Sequence, residues 1–262
     1  EIMLNVPTLA KLQAEGKKPD VVFWVGCAGS FDDRAKKITK AFVKILNKTG
    51  TLFAVLGAEE TCTGDPAKRA GNEFLFQMQA LQNITTLNSY DITKIVTTCP
   101  HCFNTLKNEY PELGGNYDVM HHTQFLKQLL KEETLTIEGG KFKGKRITFH
   151  DPCYLGRANN VYEAPRELIR KLDAELVEMK SCKSKGLCCG AGGAQMFKDA
   201  EAGDKEVNIE RTEEAIETQP DIIAAACPFC NTMMTDGIKN KAQEENIQVM
   251  DVAELIATAN NL

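Results

Sequence analysis

Short runs of apolar, β-branched and aromatic residues recur along the chain, separated by longer stretches in which apolar residues return every three or four positions. The first pattern marks buried strands and the second amphipathic helices. In the first half the runs are VVFWVG (21–26), TLFAVLG (51–57), KIVTT (94–98) and YDVMHH (117–122). In the second they are RITFHD (146–151), ELVEMK (175–180), DIIAAA (221–226) and IQVMDV (247–252). Helical spacing predicts helices over 33–48, 67–88, 122–132, 203–218 and 251–259. Strands alternating with helices imply parallel sheets and an α/β fold, here as two sets of four strands. The polar, glycine-bearing stretch 132–146 reads as the joint, which predicts one domain over 1–140 and a second over 141–262.

A hydrophobic content of 43% in 262 residues is enough for a proper core. The 31 basic and 36 acidic residues form neither a long like-charge run nor a basic stripe, which argues against nucleic acid as a partner. Neither a run of about 18 apolar residues nor a signal-peptide pattern is seen, so the expectation is a soluble, cytoplasmic protein.

Ten cysteines change the picture, because clustered cysteine in an intracellular chain points to metal or redox chemistry. Cys27, Cys62, Cys99 and Cys102 recur as Cys153, Cys188, Cys227 and Cys230, at offsets of 126, 126, 128 and 128. The same shifts bring Gly64 onto Gly190, Pro100 onto Pro228 and Thr63 onto Cys189. Internal duplication is the simplest explanation. Cys27, Cys99, Cys153 and Cys227 each follow the carboxyl end of a predicted strand, the edge at which open parallel sheets gather ligands.

Each set ends in Cys-Pro-x-Cys, with proline suited to the first turn of a helix and the helix dipole favouring thiolate there. A thioredoxin-like dithiol would leave Cys27, Cys62, Cys153 and Cys188 without a role. Structural zinc explains four cysteines per half. An iron–sulfur cluster explains four and also the fifth in the second half, where Gly190, Gly192 and Gly193 give the adjacent Cys188 and Cys189 the turn they need to face one centre. GAGGAQ is a poor dinucleotide fingerprint, since Gln195 stands where the third glycine belongs.

The second-half pattern, with 34 residues between Cys153 and Cys188 and 37 between Cys189 and Cys227-Pro-x-Cys230, resembles the cysteine-rich "CCG" domain that occurs twice in one of the heterodisulfide reductase subunits. The paired domain also occurs in iron–sulfur subunits of glycolate oxidase and lactate utilisation systems and in electron-transfer-flavoprotein:menaquinone oxidoreductases. GDPAKRAG, CPHCFNTLKNEYP, HHTQFL, HDPCYLGR and CCGAGGAQMF look most like the last group. The resemblance runs from about Asp20 to the end. It implies two Rossmann-like domains about a pseudo-twofold axis and a non-cubane [4Fe–4S] cluster on Cys153, Cys188, Cys189, Cys227 and Cys230, with one of the paired cysteines bridging two irons. At Thr63 the chain departs from the doubled pattern, and the four remaining first-half thiols, Cys27, Cys62, Cys99 and Cys102, imply a cubane [4Fe–4S] cluster or zinc. The function implied is an iron–sulfur electron-transfer subunit linking an electron-transfer flavoprotein or flavin dehydrogenase to a quinone-reducing membrane partner. Ferredoxin-type and membrane parts would then be separate subunits, with this one peripheral at the inner face of the membrane through a partner. Two other readings are a heterodisulfide-reductase-like subunit cleaving a disulfide, and a zinc-stabilised binding or assembly protein without redox activity.

Outside the sets, Cys182 in KSCKSKG reads as a spare thiol. His150 and Asp151 precede Cys153, where they could hydrogen-bond a ligand, supply a proton or simply end a strand. His101 reads as an exposed histidine at a helix start, His121 and His122 as structural, and Arg157 as either an anion holder or a surface ion pair.

Overall fold

The computed structural model describes residues 4–199 and 202–262. In the first half, α1 (Leu9–Ala14) leads into β1 (Val21–Trp24), α2 (Gly26–Phe31), α3 (Asp33–Lys48) and β2 (Phe53–Ala54). Next come α4 (Asp65–Arg69), α5 (Glu73–Ser89), β3 (Lys94–Thr97), α6 (Pro100–Asn104), β4 (Asp118–His121) and α7 (His122–Lys131). The second half runs β5 (Arg146–Phe149), α8 (Glu163–Arg170), β6 (Glu175–Val177), α9 (Val207–Glu217), β7 (Ile222–Ala225), α10 (Pro228–Asn240), β8 (Gln248–Asp251) and α11 (Val252–Ala259). Each half is one parallel four-stranded sheet, in the orders β2-β1-β3-β4 and β6-β5-β7-β8. The registers repeat: Val22 pairs with Ile95 and Thr148 with Ile223, while Ile95 pairs with Val119 and Ile223 with Val249. The α/β duplication expected from the strand runs is therefore present, and the cysteine offsets coincide with the strand registers. Among the described residues no helix is long and apolar enough to cross a membrane.

Local differences from the hydrophobic pattern have local causes. The expected helix over 67–88 is two helices, broken where Gly71 takes a φ of +85° and Asn72 caps α5 by accepting from the Leu75 N–H. The run at 51–57 keeps only Phe53–Ala54 as strand, because Val55 forms an isolated bridge with Thr8 and a 3₁₀ turn takes Gly57–Glu59. The helix expected from 203 begins at Val207. Five helices, α1, α2, α6, α8 and α10, lie outside the predicted spans. Both Cys-Pro-x-Cys turns open helices with proline in the first turn, as expected.

One hydrophobic core runs through both halves. The packing is reciprocal: α3 lies on α11 of the other half, and its counterpart α8 lies on α7. Asp32 caps α3 by accepting from the Ala35 N–H, and the helix buries Ile38, Phe42, Ile45 and Leu46 along one face. Polar groups lock the seam. Arg34 forks onto both carboxylate oxygens of Glu254 at 2.8 and 2.7 Å and donates to the Val249 carbonyl. Fully buried His122 bonds through Nε2 to Asp251 Oδ1 at 2.9 Å, the same oxygen that caps α11 through the Ala253 N–H. His121, at the position equivalent to Asp251, caps α7.

Closeness of α9 and α10 depends on Gly237. A Cβ there would lie 2.0 Å from Thr212 Oγ1 and 2.8 Å from Thr212 Cβ, with the Thr212 hydroxyl already bonded to the Asn208 carbonyl. Gly237→Ala is expected to lower stability by about 1–3 kcal/mol, the usual range for overpacking, in a urea titration. A change below the error of that titration would mean that the helices separate freely.

Candidate metal centres

Strand order decides where side chains converge. In each sheet the order reverses beside the first strand in sequence, opening a crevice between β1 and β3 and another between β5 and β7, at their carboxyl ends. Cys27 lies in the first turn of α2, directly after β1. Cys153 follows β5 in a turn. Cys99 and Cys227 are the N-caps of α6 and α10, and the Cys230 N–H donates to Cys227 Sγ at 3.5 Å. Cys62 and Cys188 stand in the loops after β2 and β6. There Gly64 and Gly190 take left-handed φ values of +88° and +89°, and each glycine N–H donates to the sulfur two residues earlier, at 3.5 and 3.3 Å. The loops are thus two copies of one sulfur-holding turn.

In the second half the thiols form a continuous chain. Cys153 interacts with Cys188, Cys188 with Cys189, and Cys189 Sγ lies 3.3 Å from Cys230 Sγ. Hydrogen bonds from Cys153 and Cys189 hold Cys188 far below the usual thiol range, whereas hydrogen bonding to Cys188 keeps Cys189 protonated, pushed up to about 12. In the first half Cys62 is lowered to about 7, chiefly by its bond to Cys27, whose own thiol is raised in return. Thr63, 2% exposed, puts its hydroxyl 3.9 Å from Cys102 Sγ, the counterpart of the Cys189 to Cys230 contact. The hydroxyl therefore occupies the fifth sulfur's place without being a thiolate.

The inner ends of the two sets meet. Cys99 and Cys227, both buried, bear on each other across the seam: Cys99 ionises with help from Cys102 and Cys227, while desolvation keeps Cys227 protonated. Their motifs differ at one position, His101 against Phe229, and these two rings lie 5.3 Å apart across the seam. His101 corrects the sequence expectation of an exposed side chain: it is 8% exposed, enclosed by Tyr154 and Phe229. Burial alone would lower its basicity, yet the Cys99 thiolate beside it raises it. Cys27, Cys62, Cys153 and Cys188 are half-buried, so the outer rims of both sets approach solvent while the inner members are enclosed.

Supporting groups come from far along the chain. Asp151 receives the guanidinium of fully buried Arg166 on both oxygens, at 2.7 and 2.8 Å, and also the Lys183 N–H. Glu60 accepts the N–H groups of Val25 and Gly26 before Cys27, while burial pushes its carboxyl up to about 7. His150 is buried with Cys189 and Cys230, their ligand atoms lying within 4.8 Å of one another. Desolvation and the Arg211 charge bring its imidazole down to about 3, so it is neutral. Arg157 is exposed, and half-buried Cys182 stands beside the Arg166 cluster, apart from the nine. Sequence reasoning missed Arg166, Arg211 and Glu60, since none lies within a recognisable motif.

Comparison with known proteins bears on this arrangement. The cysteine-rich CCG domain model matches residues 21–107 and again 147–235. The chain belongs to this family. Among curated CCG relatives, the probable iron–sulfur-binding oxidoreductase FadF of Bacillus subtilis is 44% identical over 254 residues, 97% of this chain and 36% of its own length. EtfAB:quinone oxidoreductase of Syntrophomonas wolfei is 43% identical over 94% of this chain and 35% of its own. A subunit of the dihydromethanophenazine:CoB–CoM heterodisulfide reductase of Methanosarcina barkeri is 35% identical over 92% of this chain and 59% of its own. The CCG chain described here spans about a third of the length of the first two.

Proposed function

We propose that the nine cysteines hold two adjoining metal centres and that the chain is an electron-transfer module of an iron–sulfur oxidoreductase. Cys153, Cys188, Cys189, Cys227 and Cys230 would hold a non-cubane [4Fe–4S] cluster, and Cys27, Cys62, Cys99 and Cys102 a cubane [4Fe–4S] cluster or zinc. The residues fit such groups: soft sulfur donors converge in both crevices, and the buried ring nitrogens Nε2 of His150 and Nε1 of Trp24 have no partner among the described residues. An iron–sulfur cluster supplies a one-electron couple. The protein's part is to hold the thiolates, enclose the inner ones and keep the outer rims near solvent.

The observation that carries this reading is the contact of Cys99 with Cys227, flanked by half-buried rims on both sides. It offers a through-protein route from the rim of one set to that of the other. The names of the relatives include quinone and iron–sulfur oxidoreductase, which supports a flavoprotein dehydrogenase on one side and a ferredoxin-type or quinone-reducing partner on the other. Disulfide cleavage is less favoured, because Cys189 is only 3% exposed.

Stopped-flow mixing of the anaerobic holoprotein with a reduced electron-transfer flavoprotein tests the reading. Bleaching of the cluster absorbance, reversed by a soluble quinone, is expected, with no turnover of small disulfides. Disulfide turnover without electron uptake from the flavoprotein would overturn it.

A further inference from the structure

We propose that His150 is a fixed N–H donor to the second-half centre, held in that state by Arg211, and that it raises the centre's reduction potential without being a ligand. The inference rests on the iron–sulfur reading above. His150 stands at the end of β5, three residues before Cys153, and is 1% exposed. One ring nitrogen has a clear partner: Arg211 Nε donates to Nδ1 at 3.0 Å. Arg211 is itself fully buried and anchored, donating through Nη1 to the Ser181 carbonyl at 2.8 Å and to Glu214 Oε2 at 2.6 Å.

A guanidinium has only donors, so Nδ1 must accept, and an imidazole that accepts at Nδ1 is neutral with its proton on Nε2. Nε2 therefore has no lone pair for iron or zinc. It has an N–H to give, and that atom is buried without a partner among the described residues, on a ring of which one nitrogen lies within 4.8 Å of the sulfurs of Cys189 and Cys230. The duplicated half supports the reading independently. Trp24 occupies the equivalent place, three residues before Cys27 and fully buried, and its Nε1, which can only donate, is likewise unpartnered among the described residues. One residue is basic and the other is not, yet both offer a ring N–H. Such a donor stabilises the more negative, reduced state of a thiolate-bound centre.

The test uses the anaerobically prepared full chain, with iron and sulfide analysis, EPR-monitored redox titration and ENDOR on protein labelled with ¹⁵N-histidine. In His150→Phe the equilibrium constant for reducing the second-half centre is expected to fall about tenfold, equivalent to about 59 mV for one electron, with the first-half centre unmoved. ENDOR on the unsubstituted protein is expected to show a weakly coupled histidine nitrogen bearing an exchangeable proton, a readout that needs no variant to fold. An unchanged potential in iron-replete His150→Phe, a histidine coupling of the size of a direct ligand, or none at all would overturn the inference while leaving the cluster in place. Iron-free, EPR-silent wild type would instead remove the iron–sulfur reading on which it rests.

Discussion

Cys189→Ser is expected to abolish the spectroscopic signature of the second-half centre while the first-half centre keeps its own. Cys189 Sγ sits 3.3 Å from Cys230 Sγ, is 3% exposed and interacts with Cys188, so it is in the middle of the thiol chain. A serine hydroxyl is a hard, protonated donor and would not replace a soft sulfur ligand at the proposed centre. The chain already contains a hydroxyl for a thiol in the other copy, where the Thr63 side chain takes the equivalent place beside Cys102. The converse variant, Thr63→Cys, is therefore expected to give the first half a spectrum resembling that of the second. Iron and sulfide content together with EPR of both variants are the measurements. An unchanged spectrum in iron-replete Cys189→Ser would mean that four cysteines suffice in both halves.

Arg166→Met is expected to cost about 3–5 kcal/mol of folding stability, the range for leaving a buried ion pair with one partner. Arg166 is 0% exposed and satisfies both oxygens of Asp151 and both of Glu178, the latter at 2.7 and 2.8 Å. Methionine fills most of the volume but strands the Asp151 carboxylate, which also receives the Lys183 N–H. Since Asp151 lies two residues before Cys153, the variant is also expected to lose metal from the second half before the first. The shift of the urea midpoint at constant m-value measures the stability cost, and metal content after dialysis measures the second effect. A cost below about 1 kcal/mol, the scale of an exposed pair, would mean that water reaches Asp151 when the arginine is removed.

The strands and the duplication were legible because central parallel strands are covered on both faces and read as continuous apolar runs; β1 and β7 are buried along their whole length. The cysteine offsets were legible for the same reason, being tied to strands whose registers repeat. The polar framework was not. Arg211 meets His150 across 61 residues and His122 meets Asp251 across 129, distances at which no local periodicity carries information. Helix α8 escaped notice because its buried face includes Arg166 and Pro165, residues that ordinarily signal surface or a break. His101 was misjudged because a polar residue in a first helical turn is usually exposed, whereas here Tyr154 and Phe229 of the other half cover it. The cysteine pattern thus lay in the spacing, and the polar groups around it lay in tertiary contacts.

The proposed asymmetry between a five-thiolate and a four-thiolate centre is open to one decisive measurement: iron, acid-labile sulfide and zinc per chain on anaerobically purified protein, combined with Mössbauer spectroscopy. The expected result is iron and sulfide in the second half as a four-iron cluster with inequivalent iron sites, alongside a separate first-half component that is either an ordinary cubane or zinc. Colourless protein with zinc in both halves, or two spectroscopically identical clusters, would contradict it.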